Sequence, residues 1–484
     1  MSSRFTNYLS LSVFLVGLMS AMSNAQTPVN AAGNQPNIIF ILADDLGYGD
    51  LGCYGQQKIT TPNLDKMAAE GMRFTQFYAG TAVCAPSRCA LMTGMHTGHA
   101  SVRGNKGMKP EGQFPMTASN ITFVQLLQKQ GYHTGAFGKW GLGFIGTDGD
   151  PNRKGFDLFY GYNCQTLAHN YYPEHLWENE TKILFPGNIN GRTDYSADLI
   201  HQHALQYLGK QLPGQPFFMY LAYTLPHGDL TVPHDSVYAH YVELFGDNPL
   251  SPLEGKPKKD GNKPFEPNPH AAYAAMVSRL DKYVGEILDL MKAKKLDKNT
   301  LVLFSSDNGP HREDGNDPEY FNSNGSLKGI KRDLYEGGIR EPLIAYWKGT
   351  VQPKTLNTNV AAMWDLFPTF LDVANLKSIP QTDGVSILPT LFKQSVSIKH
   401  PYLYWELHES GGKQAIRMGN WKAVKLQVSV LANSPIELYN LTSDPAEQIN
   451  VAAKYPALVS QMEKLFREAH QSDENWPLLL SEGK

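Results

Sequence analysis

Two acidic pairs in the sequence each follow an apolar run that is typical of a buried strand. Asp44 and Asp45 come after NIIFILA, and Asp307 and Asn308 come after TLVLFSS. Because ligands of open α/β sheets bind outside the carboxyl ends of the strands, we expect the two pairs to meet at that edge. Three carboxylates and one amide are hard oxygen ligands, which favour Ca²⁺, and less strongly Mg²⁺, over zinc. The alternative is that Asp44 and Asp307 only cap the turns that follow them.

A second reactive group lies in the segment CAPSR, residues 84–88. Pro86 suits the first turn of a helix, which places Cys84 beside a helix N-terminus. Such a position attracts anions and is expected to lower the pKa of the thiol. Arg88, one turn further, offers a bidentate donor for an oxyanion. The alternative is that Cys84 is an inert cysteine, buried as a small apolar residue.

Strand and helix signals alternate along the first three quarters of the chain. Strands are predicted at residues 37–42, 133–137, 216–223, 300–305 and 343–347, and helices at residues 62–70, 121–130 and 271–292. This alternation predicts an α/β fold with a large, mostly parallel sheet sandwiched by helices. A domain over residues 26–375 would carry both reactive groups.

The pattern changes after about residue 375. Short strands are predicted at residues 402–407, 415–421, 422–426 and 436–441, followed by a helix at residues 456–470. They predict a smaller α+β subdomain over residues 376–484, in which one helix packs on an antiparallel sheet.

The N-terminus carries an export pattern. Arg4 precedes an apolar run over residues 9–22, and Ser23-Asn24-Ala25 offers a cleavage site, which predicts a signal peptide over residues 1–25 and a periplasmic or secreted protein. A membrane anchor is the weaker alternative, because the run is short for a span. The formal net charge of -3 gives no general attraction to nucleic acid or to anionic membranes. We therefore expect neither a nucleic-acid partner nor a membrane anchor.

The segment CAPSRCALMTG resembles the signature C-x-P-S-R-x4-T-G of the type I sulfatases, and the resemblance covers roughly residues 36–470. It implies an alkaline phosphatase-like fold and the hydrolysis of sulfate esters. It also implies that a maturation enzyme oxidises Cys84 to formylglycine, whose hydrated aldehyde is the nucleophile in that family. Cys84 would then be a precursor, and its modified form would complete the calcium shell.

Further family positions follow in order along the chain. Asp44 and Asp45, in DDLGYGD, match the first metal pair, and Asp307 and Asn308, in SSDNGPH, match the second. By the same resemblance Arg88 supports the formylglycine, Lys139 in GKWGLG and Lys331 before YEGG hold the sulfate, and His227 in TLPHGDL lies near the leaving oxygen. Lys328 is a rival for the role of Lys331, although its spacing fits less well.

One position departs from the family pattern. Many sulfatases have GKWHLG, and this chain has Gly141 in place of the histidine. The resemblance assigns that histidine to contact with the formylglycine and to sulfate release, so the proton route of the second step is in doubt. His169 and His311 are candidates to replace it.

Three segments, the aromatic-rich GFDLFYGYNCQTLAHNYYPEHLW together with HTGHASVRGN and YWELHESGGKQAIRMGNWKAV, resemble bacterial sulfatases related to N-acetylgalactosamine-sulfate sulfatases. The resemblance implies a substrate with sulfated galactose or N-acetylgalactosamine, in a polysaccharide such as carrageenan or chondroitin. The candidates for substrate contact are Arg103, Asn105, His169, His311 and His408.

Two other functions stay open. A phosphomonoester or phosphonate hydrolase of the same fold is the closest, but it would favour a transition metal with extra histidine ligands, which the acidic pairs lack. The other is a sulfoglycan-binding protein without catalysis, in which the replacement of the family histidine by Gly141 would reflect the loss of activity.

Overall fold

Buried apolar strands form the large sheet of this protein, as a computed structural model of it shows. The structure describes Met1 and residues 35–246, 266–392 and 396–482, so the predicted signal peptide lies, apart from Met1, outside the described residues. Within these residues the strands are β1 (Asn37–Ala43), β2 (Met72–Tyr78), β3 (Gly107–Met108), β4 (Gly112–Gln113), β5 (His133–Lys139), β6 (Leu158–Tyr162), β7 (His175–Glu178), β8 (Thr181–Leu184), β9 (Phe217–Ala222), β10 (Thr300–Ser306), β11 (Arg340–Tyr346), β12 (Thr355–Asn357), β13 (Ala361–Ala362), β14 (Leu403–Leu407), β15 (Lys413–Met418), β16 (Trp421–Leu426) and β17 (Ile436–Asn440).

Helices cover the sheet and fill the connections between its strands. In the described part of the chain they are α1 (Pro62–Glu70), α2 (Cys84–Thr93), α3 (Phe123–Lys129), α4 (Gln165–Ala168), α5 (Ser196–Lys210), α6 (Ser236–Phe245), α7 (Pro269–Ala293), α8 (Pro318–Phe321), α9 (Glu336–Ile339), α10 (Leu366–Val373), α11 (Leu388–Phe392) and α12 (Pro456–Ala469). None of the helices among these residues is long and apolar enough to cross a membrane.

The large sheet is mixed but mostly parallel. Its strand order is β12-β2-β11-β10-β1-β9-β5-β6-β7-β8, with β13 also paired to β2. β1 pairs in parallel with β10 and β9, whereas β11 is antiparallel to both of its neighbours. The predicted strands appear as β1, β5, β9, β10 and β11, and the predicted fold class is confirmed.

Strand β1 shows why such a sheet forms. Every residue of β1 is buried, and its side chains alternate between two apolar cores. Ile39 and Ile41 belong to the core on one face, and Ile38, Phe40 and Leu42 belong to the core on the other. A run without polar alternation is what a strand covered on both faces requires.

The C-terminal strands β14 to β17 form a separate antiparallel sheet, as predicted. Met462 and Phe466 of α12 pack with Tyr404 and Leu438 on one face of it. The opposite face contributes Trp405 to a core shared with residues near β2 and α2. The described residues from Gln35 onward form one compact unit, and the domain division at residues 375 and 376 stays a prediction.

Candidate active site

The carboxyl ends of β1 and β10 bring the two acidic pairs together. The two strands are parallel neighbours whose last residues lie opposite each other. Asn308 Nδ2 donates to Asp45 Oδ1 at 2.6 Å, and the Asp45 backbone N–H donates to Asp307 Oδ1 at 3.2 Å. Asp44 and the other three residues are fully buried. The pairing of the strands therefore gathers four oxygen-bearing side chains at one sheet edge.

Helix α2 starts at Cys84, whose side chain points at this cluster. The Cys84 thiol donates to Asp44 Oδ1 at 3.3 Å. Arg88 donates from Nε and Nη2 to Asp307 Oδ2, at 3.0 and 2.8 Å, and from Nη1 to the Lys139 carbonyl at 2.6 Å. One helix turn thus links the ends of β1, β10 and β5.

The expectation that the helix N-terminus lowers the pKa of the Cys84 thiol is wrong. Burial raises that pKa well above its usual value, and the negative charge of Asp44 raises it further. The partial charge of a helix end is smaller than these two effects, because Cys84 is excluded from water and faces carboxylates. The encoded thiol stays protonated at neutral pH.

Two lysines and a histidine complete the buried cluster. Lys139, the last residue of β5, contacts Asp44 Oδ2 through Nζ at 2.6 Å. Lys331 Nζ lies 2.7 Å from Asp45 Oδ2 and 3.0 Å from His227 Nε2. The same histidine nitrogen is 3.3 Å from Asp45 Oδ2. Three segments that are distant in sequence therefore place their charges around the two aspartates.

Lys328, the rival of Lys331, points elsewhere. Its Nζ lies 3.8 Å from the centre of the Tyr335 ring. It also donates to the Tyr439 hydroxyl at 3.4 Å and to the Glu447 carbonyl at 3.3 Å, both on the side of the C-terminal sheet. Of the two lysines, Lys331 is the one that contacts the acidic cluster.

The charges of the cluster compensate one another. Burial alone would raise the pKa of Asp44, but the charges of Lys139 and Arg88 hold it well below the usual range. Burial and the charge of Asp44 raise the pKa of Asp307 to about 7. Burial and Lys331 lower the pKa of His227 well below its ordinary value, so its ring is neutral. Asp44 is consequently a permanent anion, whereas Asp307 can take up a proton near neutral pH.

The donor set fits a divalent cation. One ligand atom from each of Asp44, Asp45, Cys84 and His227 lies within 4.8 Å of the others. Asn308 Oδ1 is buried and has no hydrogen-bond partner within the described ranges. A free amide oxygen beside carboxylates is the arrangement that a hard cation requires. The cluster can therefore hold such an ion.

Two of the predicted substrate contacts are engaged with the C-terminal region. Arg103 donates to the Ala100 carbonyl at 2.8 Å and to the Gln471 carbonyl at 2.6 Å. His408 Nε2 lies 3.2 Å from Glu406 Oε2, and Arg103 Nη1 lies 3.5 Å from the same oxygen. Both side chains meet at Glu406, and their contact with substrate stays a prediction.

The other predicted contacts lie nearer to the acidic cluster. Asn105 is exposed and accepts a hydrogen bond from the Ala85 backbone at 3.1 Å, next to the start of α2. The His169 ring stacks on His227 with 4.4 Å between centres. His311 is fully buried, and its two ring nitrogens contact backbone atoms at 3.0 Å. Of the two candidates to replace the histidine missing at position 141, only His169 is partly exposed.

A chain of ion pairs that the sequence did not suggest leads from Lys331 to the surface. Glu313 Oε2 lies 3.3 Å from Lys331 Nζ, and Glu313 Oε1 lies 2.8 Å from Arg332 Nη1. Arg332 Nε in turn lies 2.9 Å from Glu409 Oε2. The only hint of these ion pairs in the sequence was that Arg332 directly follows Lys331. Adjacent basic residues are common on protein surfaces, so this hint was too weak to predict them.

A cavity of about 550 Å³ opens beside His169. Residues 107–112 form one wall, and Thr166, Leu167 and Asn170 form another. Pockets of roughly 300–1,000 Å³ hold small ligands in proteins. His169, which lines the cavity, stacks on His227, so the cavity adjoins the acidic cluster.

Comparisons with known proteins agree with this geometry. The family model Sulfatase matches residues 36–376, and the model N-sulphoglucosamine sulphohydrolase, C-terminal, matches residues 330–472. N-acetylgalactosamine-6-sulfatase of Rattus norvegicus is 33% identical over 411 residues, which cover 81% of this chain and 72% of the relative. Arylsulfatase A of Homo sapiens is 30% identical over 490 residues, which cover 90% of this chain and 88% of that relative.

Solved structures share the fold. Ps i-CgsB in complex with k-i-k-neocarrahexaose has a TM-score of 0.76 and 28% identity, over 93% of this chain and 96% of that one. The phosphonate monoester hydrolase of Agrobacterium radiobacter has a TM-score of 0.62 and 20% identity, over 90% of this chain and 95% of that one. The second likeness, at its low identity, concerns the fold alone.

Proposed function

Since this chain belongs to the sulfatase family and is a sulfuric ester hydrolase, we propose that it removes sulfate from a sulfated carbohydrate. The observation that carries the proposal is the buried meeting of Cys84 with an acidic cluster and three cations. Arg88, Lys139 and Lys331 offer their charges within contact distance of Asp44 or Asp45. Such a site suits an anionic ester better than a neutral one.

We propose that a maturation enzyme converts Cys84 to formylglycine. The hydrated aldehyde supplies a hydroxyl nucleophile and a second hydroxyl for the release of sulfate. The raised pKa of the Cys84 thiol supports this role, because a buried protonated thiol is a poor nucleophile. We propose Asp307, which Arg88 of α2 contacts at 2.8 and 3.0 Å, as the base that accepts a proton from the attacking hydroxyl.

Asp44, Asp45, Asp307 and Asn308, together with modified Cys84, are proposed to hold Ca²⁺, with Mg²⁺ less favoured. The ion supplies charge neutralisation and polarises the sulfate group. The Asn308 oxygen that has no partner in the described part of the chain, and the adjoining carboxylates of Asp44 and Asp45, support a hard cation.

Lys331 and His227 are proposed to serve the leaving group. The pKa of Lys331 is raised because the attraction of Asp45 outweighs the effect of burial, so Nζ keeps its proton. Neutral His227 accepts a hydrogen bond from it at 3.0 Å. Lys331 Nζ can therefore pass its proton to the departing oxygen, either directly or by way of His227 Nε2, to which it donates.

The cavity beside His169 is proposed to hold the sugar. Its walls combine apolar side chains, Met108 and Leu167, with polar ones, Thr166 and Asn170, as the two faces of a sugar ring require. The relatives include an N-acetylgalactosamine-6-sulfatase, and Ps i-CgsB was solved with a neocarrahexaose. We propose sulfated galactose or N-acetylgalactosamine in a polysaccharide as the substrate class.

Export is part of the proposal. A signal peptide over residues 1–25 would place the enzyme in the periplasm or outside the cell, where sulfated polysaccharides are accessible.

The proposal is tested on protein expressed with a formylglycine-generating enzyme. Mass spectrometry of the Cys84 peptide should show the mass of formylglycine, and the protein should hydrolyse an aryl sulfate faster than the matching aryl phosphate. Cys84→Ala should abolish turnover and keep the fold. Faster phosphate turnover would favour the phosphomonoester alternative, and an unmodified thiol without turnover would favour the binding-only alternative.

A further inference from the structure

The carboxamide of Gln165 is a buried polar group without a partner. Its side-chain oxygen and nitrogen have no hydrogen-bond partner within the described ranges, and the residue is 7% exposed. Nearly all buried polar groups in folded proteins are paired, because an unpaired one loses its hydration without compensation. A bound molecule that supplies the missing bond would explain why the chain keeps an amide here.

The amide lies against Gly141. A Cβ atom at Gly141 would come within 2.2 Å of Gln165 Nε2, and Gly141 has a left-handed φ of +76°. Gly141 follows Lys139, whose Nζ contacts Asp44, by two residues. Because Gly141 has no side chain, the Gln165 amide can lie beside the end of β5.

Helix α4 turns Gln165 toward the acidic cluster. Gln165 and His169 are four residues apart, which puts them on one helix face. His169 stacks on His227 of the cluster. The neighbours Cys164 and Thr166 line the sugar cavity, and so does His169. Gln165 consequently lies on the helix face that meets the acidic cluster through His169 and His227, at the inner end of the sugar cavity.

The charges nearby decide what the amide can bind. Lys139, Lys331 and Arg88 surround the same centre, so an anionic group with several oxygens is the ligand that these charges attract. We propose that Gln165 binds the sulfate group of the substrate, with Nε2 donating to a sulfate oxygen from the side that Gly141 leaves open. This inference rests on the proposed function.

Two variants test it. Gln165→Leu removes the amide, and Gly141→Ala keeps it but displaces it. For Gln165→Leu we expect kcat/KM to fall about 10- to 100-fold. The fall should be equal for an aryl sulfate and for a sulfated oligosaccharide, because both carry the same sulfate group. The thermal midpoint of Gln165→Leu should not fall, because the amide lost there had no partner. Gly141→Ala should lose activity on both substrates.

A binding measurement and a control make the test independent of turnover. In a Cys84→Ala background, calorimetry should show weaker binding of the sulfated oligosaccharide when Gln165→Leu is added, and equal binding of the desulfated one. Gln211→Leu is the matched control, because Gln211 is buried but donates to the Tyr207 carbonyl at 2.9 Å. It should lower the thermal midpoint and leave kcat/KM unchanged.

Retention of kcat/KM within about twofold in Gln165→Leu would overturn the inference. So would a loss confined to the oligosaccharide, which would place the amide against the sugar. A wild-type enzyme that is inactive on every sulfate ester would instead contradict the proposed function. The calorimetric comparison would then still show whether Gln165 binds the sulfate group.

Discussion

Replacement of Lys139 by methionine tests the charge balance of the buried acidic cluster. The Lys139 side chain is fully buried, and its Nζ lies 2.6 Å from Asp44 Oδ2. Methionine keeps most of the volume of the side chain and removes its charge. Asp44 would keep Arg88 Nη2, at 3.3 Å, as its nearest cation.

The size of the effect follows from this contact. At 2.6 Å and an effective dielectric constant of about 20, two unit charges attract by about 6 kcal/mol. Removing one partner of a buried pair costs about 3–5 kcal/mol of unfolding free energy, because the other charge stays buried. We expect Lys139→Met to lose this amount in buffer that contains EDTA.

Calcium should restore part of the loss. A cation bound to Asp44 competes with Lys139 for the same carboxylate, so the variant should bind Ca²⁺ more tightly than the wild type. A tenfold gain in affinity would add about 1.4 kcal/mol to the stabilisation by saturating Ca²⁺. Urea unfolding of both proteins, with EDTA and with Ca²⁺, measures the difference.

Lys154→Met is the control for this experiment. Lys154 is also buried, but its Nζ donates to the Thr117 and Asn120 carbonyls, at 2.7 and 2.9 Å. It should lose stability without any change in the response to Ca²⁺. An equal Ca²⁺ response of wild type and Lys139→Met, or full stability of Lys139→Met in EDTA, would refute the reasoning.

Four further outcomes are expected. Burial raises the pKa of Glu406, but hydrogen bonds from two histidines outweigh it and lower the pKa from 4.5 to about 2. The ionised carboxylate therefore stabilises the fold above pH 4.5, and this stabilisation is lost as the pH falls toward 2. In Glu406→Gln the thermal midpoint should depend less on pH over that range. Gly138→Ala should prevent stable folding, as judged by circular dichroism, because its Cβ would lie 2.0 Å from the Ala222 carbonyl oxygen. Lys109→Ala, at the cavity wall, should raise KM for a sulfated oligosaccharide and not for an aryl sulfate. Lys422→Met, which removes a buried cation that contacts both Glu336 and Glu447 at 3.0 Å, should cost about 3–5 kcal/mol in urea unfolding.

Much of the fold was predictable because its signals are local. Strands β1 and β10 are buried on both faces, and such strands read as short apolar runs. Asp44 and Asp307 follow these runs directly, so the geometry of parallel strands was enough to predict that they meet. The antiparallel direction of β11 was not predictable, since direction depends on the path of the connecting chain.

The electrostatics of the site were less predictable because they depend on contacts across the chain. The thiol pKa of Cys84 is controlled by its exclusion from water and by Asp44, 40 residues away, and a local helix-end argument gave the wrong direction. The approach of the Gln165 amide to Gly141 joins helix α4 to the loop after β5, and no spacing rule connects these two segments. For the same reason the ion pairs between Lys331, Glu313 and Arg332 followed from no pattern in the sequence.

The C-terminal sheet helps to place Lys331 from outside the acidic cluster. Lys413 of β15 donates to the Arg332 carbonyl at 2.6 Å, directly after Lys331. Lys422 of β16 lies 3.0 Å from Glu336 Oε1, in the helix that follows the same loop. The loop is thus fixed on both sides of Lys331 by side chains of the second sheet. A boundary at residue 375 would divide two sequence patterns, but the two parts would still form one site. The Lys331 ammonium, which contacts Asp45, is held in position by strands that lie beyond that boundary.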